Sequence, residues 1–468
     1  MIFSRLFFLY LFFPICCLCY FATKKVSYQN AVLIVFSLVF YACGDITYLW
    51  LVVASALLNF LLGKGITAYR DRGPAKFFLT LGLILNIGVL VVFKYTEFIL
   101  ENLNDWFSLN ISIPEISMPL GISFFTFRAI SYLVDCAWGK VDAEPNFFYF
   151  LLYISFFPIT VSGPIARYST MANDLHKREV KAEDLSDGFT RLGIGLGKKV
   201  LIADNLATIV DQFLGETMTS QTTLGLWYGV LVYALQMYYD FSGYSDMAIG
   251  ISRIFGFHLE ENFEHPFMCK TISDFWQRWH ISLGTFFRDY VLYIPIFGKR
   301  RKYAGIFLVW ICTGLWHGAS WNYIIWGLYY GILVFIEALL GKKRMKKIPA
   351  VVRHIVNKFL ILIGFAIFYC SDGLSQLGDL FWGLLGQNGT GAADALLWSS
   401  IQNNLFLLIA AILCCFPLLE IPKKLMKKSP GINMTFSILG TLGVLAIYIV
   451  SSIMLVDATY TPFLYTNF

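Results

Sequence analysis

Long uncharged runs recur along the chain, separated by short basic clusters. A helix needs about 20 mostly apolar residues to cross a bilayer, with roughly 17 as the lower limit. Residues 6–23, 28–44, 46–63 and 77–93 meet that length without a charge, as do 402–419 and 432–456 near the other end. Lys24-Lys25 and the clusters within 64–76, 299–302, 342–347 and 423–428 fall between runs, as the positive-inside rule expects of short cytoplasmic loops. With those clusters inside, the N-terminus and the C-terminal segment 457–468 both face out. Residues 95–119 carry Glu97, Glu101, Asp105 and Glu115 with no base, and read as an outer loop.

The middle is less regular. Residues 120–139 hold Arg128 and Asp135, seven apart and so nearly on one helix face. Residues 146–166 are uncharged but interrupted by Pro158, Gly163 and Pro164. They fit either a full span or a re-entrant hairpin, because irregular backbone is tolerated at membrane depth only where protein or water covers it. Between Lys302 and Glu337 the chain has no Asp, Glu, Lys or Arg for 34 residues (303–336), enough for two minimal spans. Basic flanks on both sides make this run a hairpin, with its turn predicted at 318–322.

One stretch mixes charge with aromatic residues, from Tyr239 to Arg301. Within it Trp276, Trp279, Leu283, Phe287 and Tyr290 recur at three- and four-residue spacing. Asp274, Arg278, Thr285 and Arg288 fall largely on the other side, which predicts an amphipathic helix at an interface, with His280 at the edge of the stripe. His317 is the one ionisable side chain in the hairpin, about 22 Å of helix from its basic end. An ionisable residue at that depth is a functional candidate by default. Imidazole also suits proton transfer near neutral pH.

Composition narrows the class. The 468 residues are 57% hydrophobic, 18% aromatic and 14% charged, with a net charge of +6. Soluble globular chains carry about 25% charge, so a water-soluble enzyme and a disordered chain are both excluded. What remains is an all-α polytopic membrane protein. The basic residues form loop clusters and not a face, so no nucleic-acid partner is expected. Ten cysteines lie mostly in apolar runs without paired CxxC spacing, so no metal site or disulfide framework is expected.

Five motifs together resemble the membrane-bound O-acyltransferases, most closely the branch containing the alginate O-acetylases. They are Asp240-Phe241-Ser242-Gly243-Tyr244-Ser245-Asp246, Glu261-Asn262-Phe263, Phe275-Trp276-Gln277-Arg278-Trp279-His280-Ile281-Ser282-Leu283, Arg288-Asp289-Tyr290, and Gly314-Leu315-Trp316-His317-Gly318. The resemblance covers roughly residues 120–340 of what reads as one membrane-embedded domain over 1–468. It implies about eleven transmembrane helices plus re-entrant or in-plane helices around a central channel. It also implies that His317 is the catalytic base, with His280 nearby and important.

By the same resemblance, acetyl-CoA or another acyl thioester is a cytoplasmic co-substrate, no cofactor is bound, and the acyl group passes to a hydroxyl on or beyond a bacterial inner membrane. A periplasmic or extracellular partner protein would then acetylate a polysaccharide. The chemistry needs oxyanion donors, for which Trp279, Trp316 and Asn322 are candidates. Arg278, Arg288 and the cluster at 299–302 are candidates for the phosphates of coenzyme A. Tyr244, Asp246 and Asp289 are assigned structural or orienting roles, the two aspartates either orienting a histidine or pairing with arginine.

Tyr293-Ile294-Pro295 matches the acetylase branch, whereas 296–300 departs from its usual turn. Two alternatives stay open. One is a D-alanyl transferase of teichoic acid modification fed by a carrier-protein thioester. The other is a transporter or flippase with a proton-relay histidine, although neither inverted repeats nor paired interrupted helices are evident.

Overall fold

The computed structural model describes residues 3–292, 294, 301–371, 373–418 and 430–457. The motif residues Tyr293 and Pro295, the departure at 296–300, the basic residues 299–300 and 423–428, and the tail 458–468 lie outside the described residues. Among the described residues all regular secondary structure is helical, with one isolated β-bridge between Phe263 and Trp279. Six helices among the described residues are long and apolar enough to cross a membrane, or seven if a bent pair counts as one span. The chain is therefore a multi-pass membrane protein. It divides into two compact units, one of residues 3–192 and 244–261, the other of 193–243 and 262–457.

In the first unit the opening apolar run forms a π-helix, Phe8–Phe12, followed by Phe13–Phe21. Val26–Asp45 and Leu49–Ala68 match the next two runs closely. The fourth helix overruns its run and extends as Gly73–Phe107. Glu97, Glu101 and Asp105 stand four apart, so they share one exposed helix face and do not break the helix. The expected outer loop therefore starts only at Ser108, which stops the helix in a left-handed conformation (φ 50°). Ile122–Ala137 buries both Arg128 and Asp135. There the Arg128 Nη2 donates to the Ile154 carbonyl at 2.7 Å.

Residues 146–166 do not form a continuous helix. Phe147–Ser155 and Phe157–Thr160 are broken at Phe156, and irregular backbone follows. A nine-residue helix is about 14 Å long, well short of the ~30 Å hydrocarbon core. Residues 150–166 are all buried, which is the condition under which non-helical backbone is tolerated in lipid.

In the second unit the uncharged run after Lys302 folds as the expected hairpin, with Lys302–His317 packed against Trp321–Lys347. Glycines let the two helices touch. A Cβ on Gly314 would lie 2.3 Å from the Tyr323 carbonyl oxygen, and one on Gly327 would lie 2.4 Å from that of Trp310. This is the small-residue packing on which helix association in membranes relies. Ala350–Tyr369 is a further apolar helix, not among the runs named above, and packs on Trp321–Lys347. The run at 402–419 is not one straight span: Ala395–Asn403 and Leu405–Leu413 meet at 65°. Pro430–Asp457 contains the last span.

Two polar features complete this unit, a buried ion-pair cluster and a half-buried carboxylate. The Lys199 ammonium lies 2.6 Å from Asp240 and 2.8 Å from Asp204, which places carboxylates around a cation that would otherwise be costly to bury. The Glu337 carboxylate accepts from the Ile272 and Ser273 backbone N–H groups and from the Ser273 hydroxyl. It thereby satisfies orphan donors at the start of the short helix Ile272–Trp276.

Because the hairpin closes backbone to backbone, Gly314→Val should destabilise the protein by about 1–3 kcal/mol or prevent its accumulation. Thermal melting in detergent checks this. A melting temperature equal to that of the unaltered protein would contradict the packing.

Candidate active site

The aromatic stripe read from the sequence is not one helix. Ile272–Trp276 and Ile281–Tyr290 are separate, and residues 277–280 turn between them. The cause lies in residues 262–264. The Glu264 N–H donates to the Arg278 carbonyl, and the Ile281 N–H donates to the Asn262 carbonyl, both at 2.9 Å. These bonds take residues 278–281 out of helical register. His280 sits at the break with φ 46° and ψ 56°, the left-handed conformation that few non-glycine residues adopt and that recurs at functional sites.

A cavity of about 500 Å³ opens beside this turn, within the range typical of small-molecule sites. His280 and His317 both line it. Trp276, Trp279, Leu283 and Phe287 supply apolar wall, whereas Tyr290 of the expected stripe is off the wall and Thr285 and Arg288, expected on the opposite side, are on it. Trp310, from the hairpin, lines it too, and the Trp276 ring is wedged edge-on against Trp310, Trp326 and Tyr330 at 4.8–5.4 Å between centroids. Ser273, Gln277, Thr285, Arg288 and Thr313 add a few polar groups.

Both histidines are buried at 2% exposure. The His280 Nδ1 is 3.1 Å from the Asn262 Oδ1, and Phe241 and Trp316 pack on its ring at 4.7 and 5.6 Å. Burial pushes the His280 pKa down to about 3, so the ring is neutral at pH 7. His317 closes its helix at Gly318, whose backbone is extended. A Cβ on Gly318 would run into the Tyr323 ring at 2.3 Å, so glycine is required there. The imidazole of His317 is held among Trp316, Trp326 and Phe368 at 4.8–4.9 Å between ring centroids.

The other candidate residues are distributed unevenly. Trp279 and Arg288 stand on the cavity wall, whereas Trp316, Asn322 and Arg278 do not. Trp316 lies behind the wall against both histidine rings. Asn322 is fully buried, its Nδ2 donating to the Ile367 carbonyl at 3.4 Å. Arg278 is engaged by Asp274 at 2.8 Å and by the Glu264 carbonyl at 3.3 Å. Although burial acts to raise it, the Arg278 and Lys270 hydrogen bonds hold the Asp274 carboxyl below its ordinary pKa.

Asp289 pairs with its neighbour Arg288 at 2.8 Å. Tyr244 and Asp246 belong to the first unit. There Asp246 pairs with Arg191 at 2.6 Å, and Arg191 also grips Glu261. Tyr244 is buried and stacks on Phe3.

Sequence reasoning missed Asn262 as the partner of His280, Trp310 as wall, and Glu337 as the acceptor at the start of Ile272–Trp276. Asn262 stands inside a motif already singled out, but no spacing rule connects it to a histidine eighteen residues later.

Comparison with known proteins agrees with the motifs. The model of the membrane-bound O-acyltransferase family matches residues 120–370. A probable alginate O-acetylase, AlgI, of Pseudomonas aeruginosa is 37% identical over 378 residues, covering 79% of this chain and 72% of the relative. A peptidoglycan O-acetyltransferase of Helicobacter pylori is 33% identical over 427 residues, covering 83% and 80%. A teichoic acid D-alanyltransferase of Bacillus subtilis is 30% identical over 335 residues, covering 66% and 82%.

Gly284 is on the cavity wall, and a Cβ there would meet only the Trp276 carbonyl oxygen at 3.5 Å. Gly284→Leu should therefore leave the melting temperature nearly unchanged while its side chain fills the cavity and blocks turnover. Full activity in this variant would mean that the cavity is not the reaction site.

Proposed function

Because the chain belongs to the membrane-bound O-acyltransferase family, we propose that it passes an acetyl group from cytoplasmic acetyl-CoA to a hydroxyl acceptor across the membrane, for O-acetylation of a cell-surface or secreted polysaccharide. That it is an O-acyltransferase follows from the family; the donor, direction and acceptor are our reading. The observation that carries this reading is the meeting of His280 and His317 on one aromatic-walled cavity of about 500 Å³.

An alcohol is a weak nucleophile. In this reading the His317 imidazole takes the hydroxyl proton as the oxygen attacks the thioester carbonyl. The tetrahedral intermediate collapses, the carbon–sulfur bond breaks, and the proton is returned to the departing thiolate. Preformed donors stabilise the oxyanion far more in an apolar cavity than in water. Trp279 is a candidate from its place on the wall, and the Trp276 indole N–H, buried beside the cavity, has no acceptor among the described residues. Arg288, at the wall and with an exposed side chain, is a candidate contact for the donor's phosphates. Aromatic walls exclude water and so protect the thioester from hydrolysis.

The remaining features follow from the same reading. The protein works in a bacterial inner membrane with both termini outside. An extracytoplasmic partner receives the acetyl group and delivers it to the polysaccharide. The named activities of the Pseudomonas and Helicobacter relatives, an alginate O-acetylase and a peptidoglycan O-acetyltransferase, support an acetyl donor over a D-alanyl one.

Incubation of the purified protein with radiolabelled acetyl-CoA should release or transfer label. His317→Ala should abolish this while still inserting into membranes, and His280→Ala should lower it about a hundredfold. Label transfer from a D-alanyl carrier thioester alone would favour the other donor. An intact thioester with every donor would point to transport instead. Near-normal activity of His317→Ala would remove its role as base.

A further inference from the structure

The geometry points to Asn262 as a positioning residue that fixes His280 in the tautomer protonated at Nδ1, leaving Nε2 as the nitrogen able to accept a proton or hydrogen bond. This rests on the reading of His280 as part of the acyl-transfer site.

The hydrogen bonds around Asn262 identify which of its amide atoms faces the histidine. The Asn262 Oδ1 receives the Ser282 backbone N–H at 3.2 Å and the Ser282 hydroxyl at 2.8 Å. A backbone N–H can only donate, so the atom it meets must be the amide oxygen and not the NH₂. The same oxygen lies 3.1 Å from the His280 Nδ1. An amide oxygen can only accept, so the Nδ1 must carry the hydrogen. In a neutral imidazole the other nitrogen then bears the lone pair.

Asn262 is fully buried and its own backbone is pinned, the Asn262 carbonyl receiving the Ile281 N–H at 2.9 Å. The residue therefore grips the turn at three successive points: the His280 side chain, the Ile281 backbone, and the Ser282 backbone and hydroxyl. This grip also offsets the cost of the left-handed conformation at His280. Facing His280 from the neighbouring elements are the uncharged rings of Phe241 and Trp316. Besides His280, the titratable or charged groups on its cavity among the described residues are His317 and Arg288.

The pH consequence has a definite sign. With a neutral amide beside it, His280 stays neutral well below pH 7. A carboxylate in place of the amide keeps the acceptor but stabilises imidazolium, so the pKa rises. The acidic limb of the rate profile should then move to higher pH, and activity should be lost sooner as pH falls. A merely structural asparagine would not produce that shift.

The test uses the full-length protein in detergent micelles, labelled with ¹⁵N in the imidazole rings. The His280 signals are identified by their absence from His280→Ala. The expected result is a protonated Nδ1 and a bare Nε2 in the unaltered protein. Asn262→Ala should lower kcat roughly tenfold with the KM for acetyl-CoA nearly unchanged, and should cause no further loss in the His280→Ala background. Asn262→Asp should regain activity at high pH and shift the acidic limb upward by about one unit or more.

A protonated Nε2 in the unaltered protein overturns the proposal without any variant having to fold. So does an Asn262→Ala loss of equal size with and without His280, or an Asn262→Asp profile with an unshifted limb. A fully active His280→Ala enzyme overturns the reading of the site instead, and the tautomer is decided separately.

Discussion

The hold that residues 262–264 keep on residues 278–282 organises the candidate site. Two backbone hydrogen bonds and one buried amide prevent the sequence around Trp276 and Leu283 from continuing as a single helix. Without that break, His280 would sit on an ordinary helix face, at the edge of an interfacial stripe. With it, the ring is brought into an apolar cavity, beside Phe241 and Trp316, in a backbone conformation a histidine adopts only when its surroundings impose it.

The second histidine is placed by different means. His317 ends a helix whose partner approaches so closely that glycines are needed at 314 and 327. The hairpin turn then requires glycine at 318 as well, against the Tyr323 ring. Helix packing in lipid lacks the hydrophobic drive it has in water, so close backbone contact of this kind carries much of the association. Glu337 ties the same hairpin to the start of Ile272–Trp276, and Trp276 is clamped by hairpin aromatics. The two histidines thus belong to one interlocked structure within a single unit, His280 held by Asn262 and its turn and His317 by the closely packed hairpin.

How much was legible beforehand differs by element. Uncharged runs located the helices at 26–45, 49–68 and 302–347, because lipid demands apolar length and basic loops mark the ends. The same logic stopped the fourth helix at residue 93, since it treats carboxylates as loop residues, although acids spaced by four extend an exposed helix face to Phe107. At 272–290 periodicity identified four wall residues, Trp276, Trp279, Leu283 and Phe287, yet put Thr285 and Arg288 on the wrong side and missed the break, because the breaking bonds come from residues 262–264, outside any window that periodicity inspects. His317 stood out as the one ionisable side chain in an apolar run, whereas His280, in a charged stretch, gained its weight from the motifs, which also named the family. Which donors reach the cavity was not readable: Trp316 and Asn322 lie off its wall, and Arg278 is spent on Asp274.

The central claim is that acyl transfer takes place in the cavity bounded by His280 and His317. A structure of the protein with a non-transferable acetyl thioether analogue of acetyl-CoA tests it most directly. The account predicts ordered density for the acyl end inside that cavity, with its carbonyl carbon close enough for an attacking hydroxyl to lie within hydrogen-bond reach, about 3 Å, of the His317 ring. An acyl end bound elsewhere, with the cavity empty, would contradict it.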